Sequence, residues 1–260
     1  MTRAPLWLAL ALLLGVGAIS SAWNFLAVQI TTPVSVDTGA REMNVVVPPG
    51  ADAPAVLELL RTNGLVAPSE WLSLYVAWFW KGRTIVPGEY ALSPAMRPIA
   101  QLEVVASGSV VMHEFVVGVG ERLETTIDHL CALGLATREE ATRLAFDRAF
   151  AQSLGIDAPT LEGYVVPNGY SLPRGLLASR VFGALVARHR DVVSADVLDD
   201  AARHGLSLHA LLTLASLVQT SGFVEDEWRQ YSAVLHNRLA RGTPLGHPAS
   251  AAYGLARRDS

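Results

Sequence analysis

The longest hydrophobic block lies at the start of the chain. No charged side chain occurs from Ala4 to Val36, and Leu6–Ile30 (LWLALALLLGVGAISSAWNFLAVQI) is apolar almost throughout. A helix of this length crosses roughly 30 Å of hydrocarbon, and only a helix lets a single segment satisfy its own backbone there. Trp7 and Trp23 stand near the two ends, where indole rings favour a membrane interface. Arg3 precedes the block and Asp37 follows it, which predicts a cytoplasmic N-terminus and a body outside the cytoplasm. A cleaved signal peptide competes with this reading, because Ser20-Ser21-Ala22 offers small residues for cleavage. The apolar run continues through Phe25, Leu26, Val28 and Ile30, which favours a retained anchor. Both readings export the body.

Beyond the block the pattern changes period. Residues 31–42 are polar, contain Pro33 and Gly39, and read as a linker. Met43–Val47 reads as a strand stopped by Pro48-Pro49-Gly50, and Ala53–Asn63 as a helix with Val56, Leu59 and Leu60 on one face. Ser69 is placed to cap a second helix carrying Trp71, Leu74, Tyr75 and Trp78 at helical spacing. The aromatic cluster Trp71, Tyr75, Trp78, Phe79 and Trp80 suits either core packing or stacking on sugar faces, and the pattern favours core. Pro87-Gly88-Glu89-Tyr90-Ala91-Leu92 predicts a turn into a strand, Ile99–Ser107 a helix, and Val110–Val117 a further strand. These segments make one β-α-α-β-α-β unit. The remainder reads as mostly helical, with helices over Leu123–Leu133, Thr137–Ser153, Ala178–Arg190, Ser207–Val218 and Glu225–Arg241, and a loop or short hairpin over Leu161–Pro173. The fold class is α+β: an N-terminal transmembrane helix, a small α/β domain and a mostly helical domain.

Composition narrows the function. The chain has 260 residues, 51% of them hydrophobic, with a mean hydropathy of +0.32. Its 20 basic and 24 acidic residues leave a net charge of −4 with no long basic run, which argues against a nucleic-acid partner. Cys131 is the single cysteine, so an intramolecular disulfide and a thiolate metal cluster are both excluded. Seven scattered histidines show no metal-ligand spacing, and no metal or other cofactor is expected. Ser216 lacks the glycine context of a nucleophile elbow.

Four segments, in order and spacing, resemble the endolytic murein transglycosylases of the MltG (YceG-like) type. Leu161-Glu162-Gly163-Tyr164-Val165-Val166-Pro167-Asn168-Gly169-Tyr170 is similar to that family's LEGFLFPDTY, and Leu212-Thr213-Leu214-Ala215-Ser216-Leu217-Val218 to its LTLASIV. Val234–Gly242 is similar to VFxNRLxxGM, and Tyr253-Gly254 to the end of DPTVIYG. Pro87-Gly88-Glu89-Tyr90 matches a weaker AGxY element. The resemblance implies a transmembrane anchor at 1–30, a linker at 31–42, a LysM-like domain at 43–118 and a transglycosylase domain at 119–260. It implies peptidoglycan glycan strands as substrate, cleaved between MurNAc and GlcNAc to leave 1,6-anhydroMurNAc ends. It also implies a place in the bacterial inner membrane, with the body periplasmic or extracellular and cell-wall synthases as possible partners.

The departures from the family carry the chemistry. Lytic transglycosylation needs a general acid that protonates the glycosidic oxygen and then takes the proton of the sugar's own 6-hydroxyl, so one carboxyl can suffice where hydrolases use two. In the family a Glu follows ASIV; here that position is Gln219, followed by Thr220-Ser221-Gly222. An amide donates and accepts hydrogen bonds but cannot relay that proton. The chain is therefore expected to be catalytically impaired, with a non-catalytic glycan-binding or scaffolding role as the alternative. Glu225, Asp226 and Glu227 read as acids of a helix first turn rather than as substitutes. Glu162, Tyr170, Asn237 and Arg238 match family residues and Asn168 stands where the family usually has Asp; these are the candidate cleft residues, with Glu162 equally suited to a structural turn role. Gly246-His247-Pro248-Ala249-Ser250 stands where the family has QSDPT, and Val119-Gly120 where it has EG. The sequence ends at Ser260, soon after Tyr253-Gly254, where family members continue; a truncated reading frame is the third expectation.

Overall fold

The computed structural model describes residues 4–35, 41–222 and 224–256; within these, the side chains of residues 4–12, 19, 22, 26, 29, 249, 255 and 256 are outside the description. The chain divides into two compact units, residues 1–113 with 173–176, and residues 114–172 with 177–260. Helices and short strands mix in one α+β chain.

In the first unit, α1 (Ala4–Thr31) is 28 residues long. Among the described residues no helix is long and apolar enough to cross a membrane, so the span expected over Leu6–Ile30 is helical without being shown to be transmembrane. Its second half carries Ser20, Ser21, Asn24 and Gln29 among the apolar residues, and the leucine-rich first half falls among the undescribed side chains. Residues 36–40 of the expected linker lie outside the described residues. Next come β1 (Met43–Val47), α2 (Ala53–Thr62), α3 (Glu70–Phe79), β2 (Gly88–Leu92) and α4 (Pro98–Ser107). Strands β1 and β2 pair antiparallel with Val45 opposite Tyr90 and Val47 opposite Gly88.

Local chemistry explains these boundaries. Asp52 caps α2 by accepting from the Ala55 N–H at 2.9 Å, and Ser69 caps α3 by accepting from Leu72. Arg61, in the last turn of α2, donates to the Ser69 carbonyl and the Ser73 hydroxyl and so joins the two helices. The core gathers Val45, Val47, Val56, Leu60, Leu72, Val76, Trp80, Tyr90, Leu92 and Leu102. Buried Gln101 donates to the carbonyls of Leu65 and Met96 at 3.0 Å, which satisfies polar groups where the chain turns.

In the second unit, β3 (Met112–Val117) pairs with β4 (Asn168–Pro173), and not with β1 or β2. The expected β-α-α-β-α-β unit is thus corrected: its last strand belongs to a separate two-stranded sheet. Between the strands lie α5 (Leu123–Ala132), α6 (Arg138–Ala145) and α7 (Arg148–Ser153). The single helix expected over Thr137–Ser153 breaks because the Asp147 carboxylate accepts from Ala149 and Phe150 and starts a new helix. After β4 come α8 (Ala178–Ala187), α9 (His189–Val192), α10 (Ala195–Arg203), α11 (Leu208–Gln219), α12 (Trp228–Ala240) and α13 (Pro248–Ala256). Glu225–Glu227 forms a 3-10 turn before α12. A small core of Leu214, Leu217 and Leu235 joins α11 to α12.

Candidate functional site

Gln219, where the resemblance expects a general acid, is the last residue of α11 and is exposed. It faces a tight turn at Gly118–Gly120. Gly120 has φ +74°, a left-handed conformation that glycine adopts without Cβ strain. A Cβ there would stand 3.8 Å from the Gln219 side-chain carbon and amide nitrogen, so the carboxamide lies against the turn.

Two carboxylates belong to the same neighbourhood, and each is occupied. Glu121 accepts from the Gly118 N–H at 2.8 Å, closing the turn, and from the Thr126 hydroxyl at 3.0 Å. Its other neighbour is the His129 ring, 3.4 Å away. Glu162 accepts from the Leu123 N–H at 3.1 Å and from the Tyr253 hydroxyl at 2.9 Å. Helix α5 has no side-chain cap of its own, so Glu162 supplies an acceptor to its open N-terminus from another part of the chain. The Arg122 guanidinium lies 5.0 Å from the Tyr253 ring and pairs with Glu124 at 2.9 Å. Residues 118–123, the 160–164 loop, the end of α11 and α13 are thereby brought together.

The other candidates lie elsewhere. Tyr170 is 6% exposed, donates to the Val166 carbonyl at 2.7 Å and stacks on Phe115 with ring centroids 5.6 Å apart. Burial pushes its hydroxyl above the usual tyrosine range. It is a buried residue of the second unit. Asn168 opens β4 and bonds to the Gly169 N–H at 2.7 Å. Arg238 donates to the Leu245 carbonyl and anchors the loop after α12, while Asn237 is exposed on the same helix. Glu225, Asp226 and Glu227 are exposed in the 3-10 turn, and Glu227, at the cap position of α12, makes no side-chain cap bond. Among the described residues no group of His, Cys, Asp and Glu could hold a metal ion.

Sequence reasoning missed the parts played by Glu121 and Arg122. Glu121 directly follows Gly118-Val119-Gly120, and an acid after a glycine turn is placed to accept its free N–H groups. It also missed a cleft of the first unit, lined by Asp52, Pro54, Trp80, Lys81, Arg83 and Thr84 between the β1–α2 turn and the segment after α3. There the Arg83 guanidinium lies 4.4 Å from the Trp80 ring. Chemically, Gln219 can donate to and accept from a hydroxyl but transfers no proton, and Glu121 and Glu162 are engaged in holding the turn and α5.

A first unit of short strands and helices and a mostly helical second unit, the latter with an exposed amide held against a glycine turn, make a two-unit α+β chain. The sequence profile of the YceG-like family matches residues 45–260, and the chain belongs to that family. No curated protein matches it. A crystal structure of a YceG-like protein from Listeria monocytogenes is similar with a TM-score of 0.49 and 22% identity, over 83% of this chain and 76% of that one.

Proposed function

We propose that this protein is a membrane-anchored, murein transglycosylase-like protein that engages nascent glycan strands and whose strand-cutting chemistry is impaired. The observation that carries the reading is Gln219, an amide at the position where the resemblance requires the general acid. Cleavage with 1,6-anhydro closure needs one group to protonate the glycosidic oxygen and then accept the 6-hydroxyl proton. The loss of such a group lowers turnover by about 10²–10⁴-fold. Glu121 and Glu162 do not replace it, because the hydrogen bonds they accept fix the turn and the start of α5.

In this reading α1 holds the body against the outer face of a bacterial inner membrane, where new strands emerge. The cleft beside Arg83, in the part that the resemblance makes LysM-like, offers the Arg83 guanidinium, Lys81 and Asp52 to a sugar chain. That cleft favours the second reading, a glycan-binding or scaffolding protein of the wall-synthesis machinery that binds without cutting. The discriminating experiment incubates the purified chain and its Gln219→Glu variant with uncrosslinked glycan strands and analyses the ends by mass spectrometry. The proposal expects no anhydro ends from the unmodified chain and their appearance with the variant. Abundant anhydro ends from the unmodified chain would refute the impairment.

A further inference from the structure

Helix α3 has two apolar faces. Leu72 and Val76, with Trp80 just beyond, are buried in the core of the first unit. Trp71, Leu74, Trp78 and Phe79 point the other way, and they are 46%, 52%, 79% and 68% exposed. Tyr75 stacks on Phe79 with ring centroids 4.9 Å apart and extends this second face. The aromatic cluster favoured as core is therefore mostly surface, and only Trp80 of its tryptophans is buried. A contiguous stripe of large apolar side chains at one spacing is uncommon on a surface that meets only water.

Its surroundings say what covers it. The end of α1 packs against α3 and α4, Ile30 is buried in the same core, and the Ser35 N–H donates to the Pro94 carbonyl at 3.0 Å. The end of α1 is thus fixed beside α3. On α1 itself Trp23, Phe25 and Val28, within its last turns, are 75%, 54% and 52% exposed. Two neighbouring helices of one unit therefore present indole and phenyl rings to the outside. The α3 sequence EWLSLYVAWF has one charge, Glu70 in its first turn, and two exposed cations, Lys81 and Arg83, follow it. Rings of this kind partition to the boundary between headgroups and acyl chains, and cations beside them favour anionic lipid.

From this arrangement we infer that the exposed face of α3 lies in the headgroup boundary of an anionic bilayer, next to the point where α1 emerges. The inference rests on the anchor reading given above and deepens it. The first unit is then docked on the surface with a fixed face toward the lipid, and does not swing on a tether. The opposite, core-packed side of α3 stays with the fold.

The test uses the full chain with Cys131→Ser, reconstituted into phosphatidylethanolamine–phosphatidylglycerol vesicles and labelled with a small fluorophore at Leu74→Cys or Trp78→Cys. A label at Glu58→Cys, on a side chain 71% exposed on α2 of the same unit, is the aqueous reference. Flotation reports anchoring; aqueous iodide and shallow nitroxide lipids report depth. The expected result is flotation of all variants, with the 74 and 78 labels losing most of their iodide quenching and gaining nitroxide quenching, and the 58 label unchanged. The Leu74 label gives the same reading if the Trp78 variant fails to fold. Flotation with fully iodide-accessible 74 and 78 labels would overturn the docking and leave the anchor standing. Failure to float would overturn both. Protection that arises only after membrane proteins are added would assign the face to a protein and overturn the lipid assignment.

Discussion

Glu89 offers the sharpest stability test, because its carboxylate is 2% exposed and surrounded by partners. It pairs with His113, lies 3.3 Å from the Arg174 guanidinium and is hydrogen-bonded by Asn44. Arg174 comes from residues 173–176, which return to the first unit from the far end of β4, so the pair fastens that return. Replacing Glu89 by Ala removes the carboxylate that pairs with the Arg174 guanidinium and the His113 imidazole. Breaking a fully buried pair costs about 3–5 kcal/mol. Here Arg174 is 36% and His113 17% exposed, so both can recover some water, and the expected loss is about 2–3 kcal/mol. The pH dependence has a definite sign. Burial alone would raise the Glu89 carboxyl, but hydrogen bonds from His113 and Asn44 and the Arg174 charge hold it below the ordinary glutamate range. A depressed native value means stability that is fully present above the unfolded-state value and lost as the pH falls through the native one. Urea unfolding followed by circular dichroism from neutral pH to pH 3 should therefore show a falling free energy in the native sequence and a flatter profile in Glu89→Gln. A Glu89→Ala loss under 0.5 kcal/mol, or an unchanged pH slope in Glu89→Gln, would refute the reasoning.

Three further outcomes follow from the geometry. Gly120→Ala places a Cβ at φ +74° beside the Gln219 amide and should cost about 1–2 kcal/mol in urea unfolding, whereas Gly169→Ala meets open space and should cost less. Glu162→Ala removes both acceptors joining α5 to Tyr253; because the site is partly exposed, the expected loss is about 1–2 kcal/mol, with faster amide exchange at Leu123. His189 is 7% exposed and burial pushes its imidazole below the usual histidine range; its stability contribution is present above that range and lost as the pH falls, so His189→Phe should flatten the melting profile between about pH 7 and 5.

The sequence made the local elements legible where one signal dominated. Ser69 announced the start of α3, and Gly88-Glu89-Tyr90 led into β2 as the turn chemistry required. What failed was orientation. Helix α3 is apolar on two sides, so its spacing could not say which side met the core. The Asp147 cap looked like one more polar residue on a helix until its carboxylate was seen accepting from Ala149 and Phe150. Helices α10 and α13 escaped because their alanine-rich stretches carry few large apolar positions. The partner of β3 lies beyond three helices, a pairing that no local pattern encodes. The candidate site divides in the same way. The Gln219 position follows from a motif, but the occupation of Glu162 rests on contacts 39 and 91 residues away in the chain.

The proposed impairment turns on Gln219, the amide at the position where the resemblance expects the general acid. The most direct measurement counts 1,6-anhydroMurNAc ends released from uncrosslinked glycan strands by the unmodified chain, by Gln219→Glu, and by Gln219→Glu combined with Glu162→Gln. The account predicts no product from the first and product from the second, higher by about 10²-fold or more. The third should retain product, since Glu162 only positions α5 and Tyr253. Turnover by the unmodified chain that disappears in a Glu162→Gln single variant would contradict the account and make Glu162 the acid.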